Sequence, residues 1–258
     1  MIRSKKRRVS AGQTPRQVGL ARALSKLGYC SRSQAAVLIQ AGEVHLNGRV
    51  RRDPETPVQL ATDKIEVNQR AVAAQEFVYL MLNKPRGVVT TAADEKGRET
   101  VYAYIDKNLP WLAPVGRLDK ASEGLLLFTN DSEWASRILA PESRVEKTYH
   151  MQIHSSSPDR VVTSLRQGVT CDRDFLQIHR ASILREGKRN AWLEIILHEG
   201  KNRHIRRMLA ALDVNVLRLI RVSIGSLALD SLGKGMARQL SADEKHALDS
   251  TRLPQRKK

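Results

Sequence analysis

The stretch Pro114-Val115-Gly116-Arg117-Leu118-Asp119-Lys120-Ala121-Ser122-Glu123-Gly124-Leu125-Leu126-Leu127-Phe128-Thr129-Asn130-Asp131 sets an acid beside a base, just ahead of a short apolar run flanked by turn residues. The run reads as a buried strand. Charged groups held at the mouth of such a strand point to chemistry more than to packing. The chain around them is strongly basic, so the expected substrate of that chemistry is polyanionic.

The 258 residues suffice for one sizeable core plus a smaller unit. Hydrophobic residues make up 41%, which excludes a generally disordered chain. Lys and Arg total 44 against 27 Asp and Glu, and the formal charge of +17 concentrates phosphate-bearing partners by long-range attraction. No apolar run reaches the ~18 residues of a membrane span. Cys30 and Cys171 follow no metal-ligand spacing and read as free thiols of a reducing compartment. The start Met1-Ile2-Arg3-Ser4-Lys5-Lys6-Arg7-Arg8 lacks the apolar region of a secretory signal, so the expected setting is the cytosol.

Outward from the opening stretch, the pattern divides the chain. Residues 1–17 read as a disordered basic arm, 18–67 as a small compact unit and 68–76 as a linker. Residues 77–245 read as a larger domain and 246–258 as a basic tail. In the small domain Val18 to Leu27 is expected to be helical, with Leu20, Leu24 and Leu27 on one face and Gly28 as its stop. Ser31 caps a second helix running to about Gln40. Val44-His45-Leu46, the hairpin signal Asn47-Gly48 and Val50 follow, and Ile65-Glu66-Val67 closes a small sheet. Arg22, Lys26, Arg32, Arg49, Arg51 and Arg52 decorate this unit, as suits phosphate contacts to a folded RNA or a plain solvated face. Aromatic residues at 4% argue against a surface built mainly on stacking.

The larger domain opens with a strand over Phe77 to Leu82, ended by the cationic turn Asn83-Lys84-Pro85-Arg86-Gly87. A helix is expected over 133–140, strands over Thr148–Ile153 and Trp192–Leu197, and a helix over 202–212. Strands near 216–230 and a helix from Ala242 complete it. Several strands with few intervening helices favour an α+β domain over a doubly wound one.

Asp119 leads the candidate chemistry, as nucleophile or general base. Arg117 lies on its side of an extended backbone, where it can support the carboxylate or contact phosphate; a structural salt bridge is the plainer alternative. Pairing Asp119 with Glu123 or Asp131 in a glycosidase manner is weakly supported. Gly124 and the lack of helical pattern separate the first two, and Asp131 reads as a turn or helix-cap residue. Lys84 and Arg86 flank a rigid proline, as a phosphate clamp or a surface turn. Gly200 to Met208 loads a helix start with Lys201, Arg203, Arg206 and Arg207, where backbone N–H groups attract anions. His204 is an acid, a base or an RNA contact without an evident carboxylate orienter. Tyr149 either stacks on a base or packs as strand tyrosines do. Walker-type, dinucleotide-binding and metalloprotease motifs are absent. Nothing in the sequence calls for a metal or an organic cofactor.

Taken together, these motifs resemble the bacterial ribosomal RNA pseudouridine synthases of the RsuA/RluB group across roughly residues 18–245. Gly116-Arg117-Leu118-Asp119 with Gly124-Leu125-Leu126-Leu127-Phe128-Thr129-Asn130-Asp131 matches the family's catalytic signature. Leu82–Gly87, Glu146-Lys147-Thr148-Tyr149 and 198–208 match its other markers in the same order. The resemblance implies a catalytic domain with a central, mostly antiparallel sheet, preceded by a small RNA-binding domain first described in a ribosomal small-subunit protein. It implies Asp119 as nucleophile, Tyr149 stacked on the flipped uracil and Arg206 paired with Asp119. Arg117 and Lys84 become supporting or RNA-contacting positions. The reaction it implies detaches uracil from C1′, rotates it and rejoins it through C5, without a cofactor.

The wording of Lys96–Val101 and His198–Arg203 is closer to the large-subunit enzymes. The expected substrate is therefore 23S ribosomal RNA near the peptidyl-transferase region, or an assembly intermediate, with no membrane and a monomeric enzyme. A small-subunit (16S) synthase is the nearer alternative. A non-catalytic RNA-binding or ribosome-assembly protein is the alternative from another class.

Overall fold

The computed structural model describes residues 17–92 and 94–250. The expected basic arm, apart from Gln17, and the last eight residues of the expected tail lie outside them. The chain separates into two compact units, Met1–Gln75 and Glu76–Lys258. No helix among the described residues is long and apolar enough to cross a membrane.

In the first unit the helices Leu20–Lys26 and Arg32–Ala41 pack on a four-stranded sheet ordered Arg49–Val50, Val44–Leu46, Ile65–Val67, Arg70–Ala71. Leu20, Leu24, Ile39, Val44, Ile65 and Val67 form the buried centre. Ser31 caps the second helix through a capping box with Gln34, and Gly42 ends it in the left-handed conformation at φ 83°. Asn47 and Gly48 both take positive φ, as the tight hairpin requires.

Two expectations need correction here. The first helix begins at Leu20, because Val18–Gly19 instead pairs antiparallel with Pro57–Val58. The expected linker contains a strand: Asn68 and Gln69 make a second positive-φ turn, which returns Arg70–Ala71 onto Ile65–Val67.

The second unit is built on a nine-stranded sheet. Along its main path the order is Arg180–Glu186, Asn190–Leu197, Lys147–His154, Asn215–Ile224, Glu123–Thr129, Tyr79–Lys84, Ala237–Gln239. Leu227–Ala228 and Ala113–Val115 attach at its side. Every pairing is antiparallel except the contact of Asn215–Ile224 with Glu123–Thr129. The fold is α+β, with a mixed, mainly antiparallel sheet.

The burial pattern follows from what covers each half. Helices Pro158–Gln167 and His204–Ala211 pack on one face of the Lys147–His154 half, burying Met151, Ile153, Leu193, Ile195 and Leu209. Its other face carries polar side chains such as His150, Gln152 and Glu194, giving a strand-like alternation. Glu123–Thr129 is buried at all seven positions. Leu125 and Leu127 pack toward Trp134 and Ile138, while Leu126 and Phe128 pack toward Leu82, Val101 and Leu112. A strand covered on both faces reads as a continuous apolar run, which is why Leu125 to Phe128 shows no alternation.

The first strand of this unit spans Tyr79–Lys84, two residues later than expected. Its ladder starts at Tyr79↔Thr129, and Phe77, left beyond it, is exposed. The expected tail is also shorter, since the helix Ala242–Ser250 buries Leu248 and Asp249 accepts a hydrogen bond from the Trp134 indole. Asp131 caps the helix Ser132–Leu139 by accepting from the backbone of Glu133 and Trp134.

At the parallel contact Ile220 faces Glu123 and Arg221 faces Gly124. Gly124 has φ 101°, and a Cβ there would collide with the Arg221 carbonyl and lie 2.8 Å from its nitrogen. Gly124→Ala should therefore destabilise the second unit by about 3 kcal/mol, through strain and forced separation of two strands. Chemical denaturation measures this, and a loss below ~1 kcal/mol would show that the contact yields easily.

Candidate active site

Asp119 lies in the short loop between Ala113–Val115 and Glu123–Thr129, and four fastenings fix that loop. Leu118 is buried, and its carbonyl accepts from Thr90 Oγ1 at 2.8 Å. Gly87 N donates to Lys120 O at 2.7 Å and Ser122 N to Asp119 O at 2.9 Å. Arg206 Nη2 donates to Ala121 O at 3.0 Å. Lys84 completes the set: its Nζ donates to the carbonyls of Pro85, Asp119 and Ser122 at 3.0, 3.2 and 2.9 Å.

Lys84 is fully buried. Of the two roles expected for it, support and RNA contact, its burial favours support. The strand continues inward through position 84, so the ammonium gives two hydrogen bonds to the Asp119 loop and a third to the neighbouring Pro85 carbonyl. Burial pulls its pKa down to about 8, against the opposing attraction of Asp119 and Glu123.

The Asp119 side chain faces a cavity of about 180 Å³. Arg203 Nη1 stands 3.8 Å and Arg206 Nε 4.0 Å from its Oδ2. These are ion-pair distances, longer than hydrogen bonds. Arg206 Nε is buried and has no hydrogen-bond partner among the described residues. Burial lowers the Arg206 pKa, with Asp119 opposing. Tyr149, on the Lys147–His154 strand, contributes the aromatic wall beside Leu139, Leu197, Ile205 and Leu219. Among the described residues Asp119 is the only acidic side chain lining the cavity, which it shares with Arg117, Lys147, Lys201, Arg203, Arg206 and Arg221.

Asp119, Tyr149 and Arg206, expected as a catalytic set, thus line one cavity together with Arg117, Lys201, Arg203 and His204. Arg117 is exposed. Lys201 is exposed and pairs with Glu199 at 3.4 Å. Arg203 has φ 48° and precedes the helix His204–Ala211, which starts two residues later than expected. Arg86 is exposed, with Nη1 donating to Leu217 O at 3.2 Å. Arg22 and Arg32 are exposed on the first unit, and Lys26 is half-buried there.

Two expected RNA contacts are better described as internal. His204 is only 4% exposed, and burial lowers its pKa, favouring the neutral imidazole. Arg207 turns away from the cavity, because adjacent helix positions point about 100° apart. It donates to Asp174 at 2.9 Å and to the Cys171 carbonyl at 3.2 Å, pinning the helix to the 169–176 hairpin.

Lys147 and Arg221 were missed as cavity residues. Both are buried, and Lys147 donates to the His198 carbonyl at 3.1 Å while Arg221 Nε donates to the Leu125 carbonyl at 2.7 Å. Burial, reinforced by Arg221, lowers the Lys147 pKa to about 8. The available signal was an Arg two positions after Leu219, on the strand face that packs inward. Glu123, weighed as a second catalytic acid, is buried and held by Arg218 at 3.1 Å and Lys234 at 2.9 Å. It does not line the cavity.

Comparison with known proteins agrees with this arrangement. Residues 78–211 match the RNA pseudouridylate synthase family, and residues 18–65 match the S4 domain. The ribosomal large subunit pseudouridine synthase B of Bacillus subtilis is 36% identical over 228 residues, covering 87% of this chain and 93% of that protein. An uncharacterized RNA pseudouridine synthase from Mycobacterium tuberculosis is 35% identical over 235 residues, covering 89% and 92%. A crystal structure of a pseudouridylate synthase superposes with a TM-score of 0.63 at 28% identity, covering 90% of this chain and 99% of that one. With the S4 match ahead of a catalytic match that spans the Asp119 loop, Tyr149 and Arg206, the chain belongs to the RNA pseudouridine synthase family, the enzymes that isomerise uridine to pseudouridine in RNA.

Proposed function

We propose that the chain isomerises a uridine of large-subunit ribosomal RNA, with Asp119 acting on the ribose of a nucleotide flipped into the cavity. The observation that carries the assignment of roles is a single carboxylate, on a loop fastened from four sides, among six cations and one tyrosine. The cavity is on the scale of one nucleobase with part of its sugar, so the base must leave the RNA stack at a cost of a few kcal/mol. Tyr149 offers a face for the extruded uracil. The cations at the rim suit the flanking phosphates.

Cleavage of C1′–N1 releases uracil, which rotates and bonds through C5, losing the C5 proton as N1 gains one. Atoms and electrons balance within the nucleotide. Asp119 serves this either by attacking C1′ or by removing a ribose proton to give a glycal-like species. Arg206, with its buried Nε 4.0 Å from Oδ2 and without a hydrogen-bond partner among the described residues, sets a positive charge beside the carboxylate. The Bacillus subtilis relative supports the large-subunit substrate. We infer a target near the peptidyl-transferase region from the wording of the motifs, and a cytoplasmic setting from the two free cysteines. Arg22 and Arg32, exposed on the S4-like unit, supply RNA capture.

Asp119→Asn should reduce single-turnover isomerisation by at least about 10⁴-fold with RNA affinity nearly unchanged; a variant retaining a tenth of the rate would remove Asp119 from the chemistry. Arg206→Ala should cost about 10²–10³-fold in rate, and Arg203→Ala distinctly less, because Arg203 is solvated. Equal effects would contradict separate roles. Reversing charge at Arg22 and Arg32 together should weaken RNA binding and flatten its salt dependence, leaving the rate on saturating RNA intact. Mapping pseudouridines in ribosomal RNA from cells lacking the gene tests the substrate, and loss confined to 16S RNA would overturn the large-subunit assignment.

A further inference from the structure

A second cluster forms at one end of the same sheet, and none of its members lines the cavity. Lys147 opposes Leu197 and Arg180 opposes Ile196 in the antiparallel ladders. One residue beyond these pairs, three strand ends deliver Glu146, His179 and His198 to the same place. The Nε2 atoms of His179 and His198 lie 3.7 and 3.5 Å from a single oxygen, Glu146 Oε1. The two imidazoles overlap with centroids 4.0 Å apart and planes 31° from parallel. One donor atom from each residue falls within 4.8 Å of the others.

Ordinary packing does not account for this convergence. At these distances the imidazoles make no good hydrogen bond to the carboxylate. Two imidazoles and a carboxylate are, however, a donor set suited to zinc. Tetrahedral zinc, with bonds of about 2.0–2.2 Å, sets its ligand atoms about 3.3 Å apart. The two imidazole–carboxylate distances are already near that value, and the widest pair must close by about 1.5 Å. Side-chain rotation can supply this, since the three side chains are 30–44% exposed and free to adjust.

We propose that Glu146, His179 and His198 bind one divalent, zinc-class ion, with the remaining coordination position open to solvent. Arg180 competes for the site: its Nη2 lies 3.6 Å from the same Oε1, on a side chain 63% exposed that can swing into water. The ion joins elements that matter to the cavity. Glu146 leads into the strand bearing Tyr149, and its carbonyl accepts from Gly225 N at 2.7 Å. His198 accepts from Lys147 Nζ through its carbonyl and precedes the segment bearing Lys201 and Arg203. A bound ion therefore ties the Tyr149 strand to the Arg203 segment, as a positioning element that takes no part in bond making. The proposal stands independently of the role given to Asp119.

Titrating metal-free, full-length protein with Zn²⁺ by calorimetry, and with Co²⁺ by visible absorption, tests the site. The expected result is one ion per chain, with the absorption of tetrahedral cobalt. Glu146→Gln and the double variant H179A/H198A should each weaken binding at least tenfold, while Arg180→Ala should tighten it several-fold by removing the competitor. Zinc at a hundredfold over its Kd should raise the wild-type melting temperature by on the order of 5 °C and leave the double variant unmoved. Should the double variant melt early without metal, the opposite affinity shifts of Glu146→Gln and Arg180→Ala decide the matter. Absence of binding, or binding unchanged in these variants, would overturn the proposal.

Discussion

The buried ammonium of Lys84 is the constraint on which the catalytic half of this molecule depends. A charge taken out of water costs several kcal/mol unless its donors are satisfied. Lys84 meets that requirement with three carbonyls, two of them from the Asp119–Ser122 turn. Those oxygens cannot turn elsewhere without stranding the ammonium, so the turn takes one shape. The Asp119 side chain is thereby aimed by its backbone, the two arginines beside it standing at ion-pair and not hydrogen-bond distance. A carboxylate held this way stays turned to the cavity.

The same economy governs the other charges. Glu123 is neutralised by Arg218 and Lys234, Arg207 by the 169–176 hairpin, and Arg221 is bound to the Leu125 carbonyl. With those groups committed to structure, the cavity is left with an excess of positive charge around one acid. That distribution attracts a phosphodiester from a distance and still leaves a single anionic centre to act at short range.

Much of the fold was legible in the sequence, because Ser31, Asn47-Gly48 and Asp131 are residues whose turn and cap chemistry is specific, and each performs it. The strand Arg70–Ala71 was not legible, since Gln69 is an uncommon choice for positive φ. Asp119, Tyr149 and Arg206 could be gathered only through resemblance, being brought together by pairings far apart in sequence. The role of Lys84 was hidden for a simpler reason: a lysine beside a proline turn looks exposed, and only the third dimension shows that the strand carries it inward. Glu146, His179 and His198 escaped notice likewise, since register and not sequence spacing makes them neighbours.

The one parallel pairing of the large sheet among the described residues, Ile220 to Glu123 and Arg221 to Gly124, is also the seam between two antiparallel ladders. Its partners are separated by about a hundred residues, so its closure carries a far larger loop entropy than any hairpin in the sheet. One of the two ladders is itself non-local, because Ala237–Gln239 pairs with Tyr79–Lys84 from the far end of the unit. The cavity draws Asp119 from one side of this seam and Tyr149 and Arg206 from the other. The cavity therefore exists only once strands distant in sequence have paired across this seam, so its walls depend on the closure of the whole sheet.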